Sequence, residues 1–296
     1  MRSLRDLPKA HLHVHLESTV RWSTLRELAV ANGVPVPGHL ADGRYAFTGF
    51  ADFFDQGDLV RSCLRRPADF RRIAHEFCAD EAAEGTRYAE VSFTAAAHGE
   101  RLGDLEMPLA AVLDGLSRGG AEHGIEVRVL LDHSRRRPVE RAWRTLDLAV
   151  RYAADGVVAV GLAGDEAHPA EPFLPVFRAA AERGLRIAHH AGEAAGPASV
   201  RAALAAGAQR LGHGIRILDD PDLTAEVAER RIPLEVCPSS NVALGFVSAA
   251  RPPRAHLAAH PLDRMRSAGL LVTLNTDIPA MFGVPLTLEY QRVRDA

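Results

Sequence analysis

The chain has 296 residues, of which 47% are hydrophobic and 25% are charged, so it has ample apolar material for a core and no compositional sign of disorder. Its formal net charge of −3 gives no electrostatic footprint for nucleic acid or for an anionic membrane surface. No apolar run approaches the roughly 20 residues that span a bilayer, and residues 1–10 lack the apolar stretch of a signal peptide. Cys63, Cys78 and Cys237 form no paired disulfide framework. We therefore expect a cytoplasmic, globular protein.

Short apolar runs typical of strands alternate with helical stretches along the whole chain. The apolar runs predict strands over residues 10–15, 88–93, 126–131, 157–162, 185–190, 210–213, 232–236 and 271–276. The helical periodicity predicts helices over residues 22–31, 68–84, 105–123, 139–154, 172–183, 197–206, 222–230 and 262–268.

Eight strand–helix alternations predict a parallel sheet, because parallel strands need a crossover connection, and eight of them favour a closed (β/α)8 barrel. A doubly wound open sheet is the alternative, but its glycine-rich phosphate loop after the first strand is missing from the sequence. No repeat, low-complexity tract or linker interrupts the pattern, so we expect one barrel domain over residues 1–296.

The segment 32–64 is too long for a simple loop and is interpreted as an insertion after the first strand. It carries four phenylalanines that form either a small satellite core or a wall for a ligand: Phe47, Phe50, Phe53 and Phe54.

Three histidines alternate with apolar residues in the first strand. Side chains two apart on a strand point to the same face, so His11, His13 and His15 share one. Any one of them alone is more simply explained as a structural histidine with satisfied nitrogens. The pair His13 and His15, at the end of the strand where barrel active sites lie, favours a metal site.

Polar side chains also follow other predicted strands. The fifth ends at His190 with Glu193 three residues later, the sixth ends at His213 between two glycines, and the eighth is followed by Asp277. Three imidazoles and one carboxylate suit a mononuclear zinc site with one position open for water. The remaining glutamate and histidine are candidates for proton transfer.

These motifs, in this order over nearly the full length, resemble the adenosine deaminase family of the amidohydrolase superfamily. The matching segments are His13-Val14-His15, Leu162-Ala163-Gly164-Asp165-Glu166, His190-Ala191-Gly192-Glu193, Gly212-His213-Gly214, Val236-Cys237-Pro238-Ser239-Ser240-Asn241 and Asn275-Thr276-Asp277.

The resemblance implies a zinc-dependent aminohydrolase whose single Zn²⁺ is bound by His13, His15, His190 and Asp277. Members of the superfamily with two metals bridge them with a carboxylated lysine on a middle strand. The only lysine of this chain, Lys9, precedes the first strand, so one metal ion per chain is expected.

The resemblance also implies the catalytic and substrate-binding roles. Glu193 would protonate the ring nitrogen beside the carbon under attack, and His213 would orient and help to activate the water. Asp277 would hydrogen-bond the same water in addition to binding the metal, and the backbone of Gly164 would contact a purine.

Three positions depart from the family pattern and leave the substrate open. Ile278 stands where most members carry an aspartate that holds a nitrogen of the purine's five-membered ring, and its side chain forms no hydrogen bond. Either the pocket tolerates this loss, or the substrate has no such nitrogen to satisfy. Glu17 replaces the common aspartate at a position that often binds a ribose hydroxyl in the family. Ser92 replaces the arginine of animal-type enzymes.

Three consecutive arginines, Arg135, Arg136 and Arg137, follow the third predicted strand. They form either a solvated basic turn or a site for a carboxylate or phosphate on an extended substrate. The second interpretation would suit aminodeoxyfutalosine, a substrate of some bacterial relatives.

Several alternatives remain open for the function. Besides an aminopurine nucleoside, adenine and aminodeoxyfutalosine are candidate substrates, and a zinc amidohydrolase acting on another C–N bond or a catalytically silent binding barrel are rival classes. No nucleic-acid or membrane partner is expected. Family members usually continue with one or two more helices past the helix that follows the eighth strand, whereas this sequence ends soon after residues 286–294, so it is either truncated or naturally shorter at its C-terminus.

Overall fold

The computed structural model describes residues 3–40, 45, 50–247 and 257–296 of the chain. Its strands form one eight-stranded parallel sheet in the order β1 to β8. The strands are β1 (Lys9–His11), β2 (Thr86–Phe93), β3 (Glu126–Ser134), β4 (Val157–Ala163), β5 (Arg186–Ala191), β6 (Arg210–His213), β7 (Leu234–Val236) and β8 (Val272–Leu274).

The sheet closes just beyond the carboxyl ends of β1 and β8. Val14 and Asp277 form an isolated parallel bridge. Across it, His15 N donates to Asp277 O at 2.9 Å and Asp277 N donates to His13 O at 3.0 Å. The predicted (β/α)8 barrel is therefore confirmed, and the open doubly wound sheet is excluded.

Helices follow the strands around the barrel. They are α1 (Trp22–Asn32), α2 (Phe50–Cys63), α3 (Pro67–Ala83), α4 (Ala95–Leu102), α5 (Met107–His123), α6 (Val139–Arg151), α7 (Leu174–Glu182), α8 (Pro197–Ala205), α9 (Pro221–Glu229), α10 (Pro238–Ala243), α11 (Leu262–Ser267), α12 (Pro279–Phe282) and α13 (Leu286–Asp295). Among the described residues, no helix is long and apolar enough to cross a membrane.

Most predicted elements lie within a few residues of the observed ones, but some predictions were wrong. The first strand ends at His11 instead of residue 15, and the helix predicted from residue 105 begins at Met107. The helices α2, α4, α10 and α12 were not predicted. Part of the insertion is the helix α2; Phe47 and the side chains of Phe50, Phe53 and Phe54 lie outside the described residues.

The apolar core lies between the sheet and the helices. Its largest fully buried side chains include Phe70 and Phe77 of α3 and Phe93 of β2. The helices α3 and α5 pack closely because Gly119 faces α3; a Cβ atom at Gly119 would lie 2.8 Å from that of Cys78. All three cysteines are buried and unpaired.

Lys9 is a structural residue at the amino end of β1. It is only 4% exposed, and its Nζ donates to the carbonyl oxygens of Glu84 (2.6 Å), Leu7 (2.9 Å) and Arg5 (3.3 Å). Burial lowers the pKa of Lys9, although the charge of Glu84 acts to raise it. The side chain thus joins the segment before β1 to the end of α3.

Replacing Lys9 by methionine is expected to lower the free energy of unfolding by about 1–3 kcal/mol, because buried carbonyl groups lose their donor. Urea denaturation measures the change. Arg178→Met, at an exposed position of α7, is the control and should stay within about 0.5 kcal/mol of the wild type. Equal stability of the two variants would contradict this role of Lys9.

Candidate active site

Four side chains meet at the carboxyl end of the barrel. His13 and His15 follow β1, His190 lies in β5, and Asp277 follows β8. One ligand atom from each lies within 4.8 Å of the others. The His15 and His190 Nε2 atoms are 3.1 Å apart, and Asp277 Oδ1 is 3.3 Å from His15 Nε2 and 3.7 Å from His13 Nε2.

This donor set fits a divalent metal ion. His13 Nε2 is buried and has no hydrogen-bond partner, and it faces the same point as the nitrogens of His15 and His190. A buried ring nitrogen without a partner is costly, and a bound cation would satisfy it. Three imidazole nitrogens and one carboxylate oxygen are ligands that Zn²⁺ binds.

His11 does not join the cluster. Its Nδ1 lies 3.0 Å from Glu81 Oε1, and its Nε2 lies 3.0 Å from Thr276 Oγ1. Both ring nitrogens are satisfied, so the interpretation of a lone histidine as structural applies to this residue.

Acidic and hydroxyl groups beneath the cluster hold its members in place. His13 Nδ1 lies 3.0 Å from Glu235 Oε2, and Arg210 Nε donates to Glu235 Oε1 at 2.6 Å. His15 Nδ1 lies 3.4 Å from Asp132 Oδ2, and Ser240 Oγ donates to Asp277 Oδ2 at 2.6 Å. Such partners fix the tautomer and the orientation of a metal ligand.

The electrostatics of the cluster favour a positive charge on His15 and a negative charge on Asp277. Burial acts to lower the pKa of His15, but its hydrogen bond to Asp277 and the charges of Asp277 and Asp132 raise it to about 9. The pKa of Asp277 is lowered, since His15 and the other imidazoles outweigh the effect of burial. Burial raises the pKa of Asp132 to about 6.

Glu193 and His213 lie beside the cluster and share one amide. Asn241 Nδ2 lies 3.0 Å from Glu193 Oε1 and 3.1 Å from His213 Nδ1. Leu262 N donates to His260 Nδ1, so the His260 hydrogen is on Nε2, which lies 3.3 Å from Asn241 Oδ1. This assigns the amide orientation: Asn241 donates to both Glu193 and His213, and His213 carries its hydrogen on Nε2.

The protonation states of these two residues suit acid–base chemistry. Burial, with the negative charges of Asp277 and Glu166, raises the pKa of Glu193 well above its usual value. Burial lowers the pKa of His213 to about 3, and the neighbouring His13 acts in the same direction. The site therefore combines a carboxyl group that keeps its proton to a higher pH than an exposed glutamate with an imidazole that is neutral at neutral pH.

The two glycines around His213 make room for other parts of the site. A Cβ atom at Gly212 would lie 2.7 Å from His13 Cε1 and 3.2 Å from the Cα of His190. Gly214 has a φ of +67°, and a Cβ atom there would overlap the side chain of Leu234. His213 itself has a φ of 62°, which is uncommon for a residue with a side chain.

The variant Gly212→Ala is expected to weaken the binding of Zn²⁺, used as the probe for the candidate site, by about 10- to 100-fold, a range typical of changes to the groups that orient metal ligands, because the new methyl group displaces His13. Competition with a chromogenic chelator measures the dissociation constant. Gly38→Ala is the control, since nothing lies within 4 Å of a Cβ atom at Gly38. Unchanged affinity in Gly212→Ala would contradict the placement of His13 in the metal site.

The predicted substrate-binding residues lie in different environments. Glu17 is buried, and its Oε1 accepts from Thr94 N and Thr94 Oγ1 and lies 3.2 Å from His98 Nε2. Ile278 is fully buried just before α12. Gly164 has a φ of +92°, and a Cβ atom there would lie 3.3 Å from Ser134 Oγ.

The expectation of a solvated basic turn is wrong for Arg135. This residue is 5% exposed, and it donates to His190 O at 2.6 Å and His168 O at 3.2 Å. Arg137 donates to Glu100, which is also 2.9 Å from Arg141 and 3.1 Å from Arg144. Arg136 is exposed.

Sequence reasoning missed Glu235, Asp132 and His260. Glu235 carried a signal, because it is an acidic residue within a predicted apolar strand, where an unpaired charge is costly, and Asp132 directly follows the strand predicted over residues 126–131. His260 had no such signal, since it lies outside any predicted element.

Known proteins are similar to this chain in sequence and in fold. The family model of adenosine deaminase matches residues 8–296. An adenine deaminase from Streptomyces coelicolor is 38% identical over 303 residues, which cover 99% of this chain and 86% of that protein. An aminodeoxyfutalosine deaminase from the same species is 38% identical over 294 residues, which cover 97% of this chain and 74% of that protein.

Solved structures agree with these matches. An amidohydrolase from Burkholderia ambifaria with bound zinc superposes with a TM-score of 0.88 at 29% identity, covering 97% of this chain and 80% of that one. The matches confirm the predicted family, the barrel and the class of enzyme, an aminohydrolase. The chain belongs to the adenosine deaminase family.

Proposed function

We propose that this chain is a zinc-dependent aminohydrolase that removes the amino group of an aminopurine base or nucleoside as ammonia. The observation that carries the proposal is the position of the Glu193 carboxyl group, whose pKa is raised, beside a candidate metal site with four ligands. An amidohydrolase that cleaves amides also needs the metal site, but its substrate has no ring nitrogen for this acid to protonate.

His13, His15, His190 and Asp277 would hold the zinc ion. When bound there, zinc would lower the pKa of water towards about 7 and so supply a nucleophile at neutral pH. The unsatisfied Nε2 of His13 and the donor types support this assignment.

The protein groups then carry the protons. Glu193 donates its proton to the ring nitrogen next to the carbon under attack, which makes that carbon more electrophilic. His213 is neutral with its hydrogen on Nε2, so it can donate a hydrogen bond to the attacking water and orient it. Asp277 accepts one proton of that water, and this proton passes to the amino group as the C–N bond breaks and ammonia leaves. The second proton of the water returns to Glu193 as the carbonyl group of the product forms.

The substrate is an uncharged amino-heterocycle or a nucleoside of one. Relatives named adenine deaminase and aminodeoxyfutalosine deaminase are equally similar to this chain, so both substrates belong in the test. Of the three predicted anion-binding candidates, Arg135 donates to backbone carbonyls and Arg137 donates to Glu100, whereas Arg136 is exposed. The engagement of Arg135 and Arg137 favours a substrate without a carboxylate.

An ammonia-release screen of the zinc-loaded protein tests the proposal. The panel contains adenine, adenosine, deoxyadenosine, methylthioadenosine and aminodeoxyfutalosine, with amide and ester substrates as the comparison. We expect turnover of at least one aminopurine and none of the amides. Ammonia from none of the aminopurines, or turnover only of amides or esters, would overturn it.

A further inference from the structure

Glu166 is a buried acidic residue in the loop that follows β4. It ends the motif Leu162–Glu166, in which only Gly164 received a role from the sequence. Its exposed fraction is 8%, so its charge requires partners that compensate for the loss of water.

Those partners all come from the segment that follows β5. The carboxylate accepts five hydrogen bonds there: Oε1 from Gly192 N (2.6 Å) and Ser199 Oγ (2.5 Å), and Oε2 from Glu193 N (2.9 Å), Ala194 N (2.6 Å) and Ala195 N (2.8 Å). Four consecutive backbone N–H groups thus converge on one side chain.

The loop that carries Glu166 is itself anchored. Arg135 N donates to Ala163 O at 2.8 Å, and the Arg135 guanidinium joins His168 O to His190 O. The loops after β3, β4 and β5 are therefore connected to one another by hydrogen bonds of Arg135 and Glu166.

The segment held by Glu166 carries the proposed acid. Glu193 Oε1 lies 3.0 Å from Asn241 Nδ2 and 3.4 Å from His213 Nδ1. A general acid must lie within hydrogen-bond reach of the atom that it protonates, so a shift of this backbone would move the carboxyl group out of place.

We propose that Glu166 is a positioning residue for catalysis: its carboxylate holds the backbone of residues 192–195 so that Glu193 faces the substrate. The proposal rests on the proposed function. Glu166 acts through Glu193 and does not itself take part in the proton transfers.

The variant Glu166→Gln tests the proposal because it keeps the size of the side chain but turns one acceptor into a donor that faces N–H groups. We expect kcat per zinc-loaded chain to fall about 10- to 100-fold, since a misplacement of about 1 Å can cost about 100-fold. We expect KM to change less than about threefold, as the other groups of the site stay in place. Amide hydrogen exchange of residues 192–195 should become faster.

Asp69→Asn is the matched control. Asp69 is also a buried carboxylate that holds backbone N–H groups, with Arg65 N at 3.1 Å and Arg66 N at 2.9 Å, but it lies at the start of α3. This variant should lose stability and keep its kcat. An equal loss of kcat in both variants would mean that Glu166 acts only through stability and would overturn the proposal.

Ser199→Ala gives a second test if Glu166→Gln does not fold. It removes one of the five hydrogen bonds, and we expect a two- to fivefold lower kcat with faster exchange at residue 192. An active wild type whose kcat and exchange are unchanged by these substitutions overturns the role of Glu166 alone. A wild type that deaminates nothing in the panel overturns the proposed function, and the exchange measurement still reports whether Glu166 holds the segment.

Discussion

Glu193→Gln is expected to lower kcat for the deaminated substrate by about 10²- to 10⁴-fold, the range that a positioned general acid contributes. Glutamine has the same shape, and its side-chain oxygen can still accept the hydrogen bond from Asn241 Nδ2. What it lacks is a proton to give to the ring nitrogen. The measurement is ammonia release per mole of bound zinc, over a range of substrate concentrations.

The loss should appear in kcat and leave zinc content and thermal stability unchanged, because Glu193 is not among the four proposed ligands. Glu229→Gln, at an exposed position of α9, is the control for the chemical change itself. Full turnover of an aminopurine by Glu193→Gln would end the assignment of Glu193 as the acid.

The pH dependence adds an independent check. Burial and the charges of Asp277 and Glu166 raise the pKa of Glu193, so the acid form persists to a higher pH than for an exposed glutamate. The proton donor is present below this pKa and is lost as the pH rises through it. The wild-type kcat should therefore fall on the alkaline side, and the residual activity of Glu193→Gln should lack this fall.

The barrel could be predicted from the sequence because alternating strands and helices have few ways to bury their apolar faces. The length of β1 could not be predicted from the sequence. At Leu12 and His13 the regular ladder is interrupted, because their N–H groups donate to Asn275 Oδ1 at 2.8 and 3.2 Å, and Val14 and His15 then pair only as isolated bridges. A side chain distant in sequence replaces the neighbouring strand, and no local pattern indicates that.

The candidate ligands could be predicted for a similar reason. Imidazoles and carboxylates at the ends of apolar strands must meet at one end of a parallel barrel. The partners of these ligands depend on which strands become neighbours across the barrel. Glu235 reaches His13, 222 positions away in sequence, and only the closed structure brings the two together.

Arg135 illustrates the limit of reading charge from sequence. Three arginines in a row suggested either a solvated turn or an anion site, yet Arg135 turns inward and donates to two carbonyl oxygens. Every residue has a backbone carbonyl group, and the sequence does not show which of them lies near a given side chain. The role of this guanidinium in joining loops could therefore not be predicted.

Asp277→Asn is expected to abolish zinc retention, with the metal content falling from about one ion per chain to less than about 0.1 after dialysis against metal-free buffer. An amide oxygen is neutral and a poorer ligand than a carboxylate, while three imidazoles alone leave the site without a negative charge to balance the cation. Deaminase activity should fall with the zinc content. Mass spectrometry of the dialysed protein measures the metal.

Asparagine tests the role of the Asp277 carboxylate more specifically than alanine does. Asp277 has a φ of 64°, in the left-handed region that asparagine tolerates better than other residues with side chains. The backbone hydrogen bonds that Asp277 forms with His13 and His15 close the barrel and do not involve its side chain. A loss of zinc in Asp277→Asn therefore reports on the carboxylate and not on a broken barrel.

The control is His168→Ala, which removes a half-exposed imidazole near the site and should retain about one zinc ion per chain. Zinc that binds only the folded state raises the unfolding temperature by mass action, so added zinc should stabilise the wild type and the control. Asp277→Asn should unfold at the temperature of the metal-free wild type, with or without zinc. Stoichiometric zinc in this variant would contradict the assignment of the Asp277 carboxylate as a ligand.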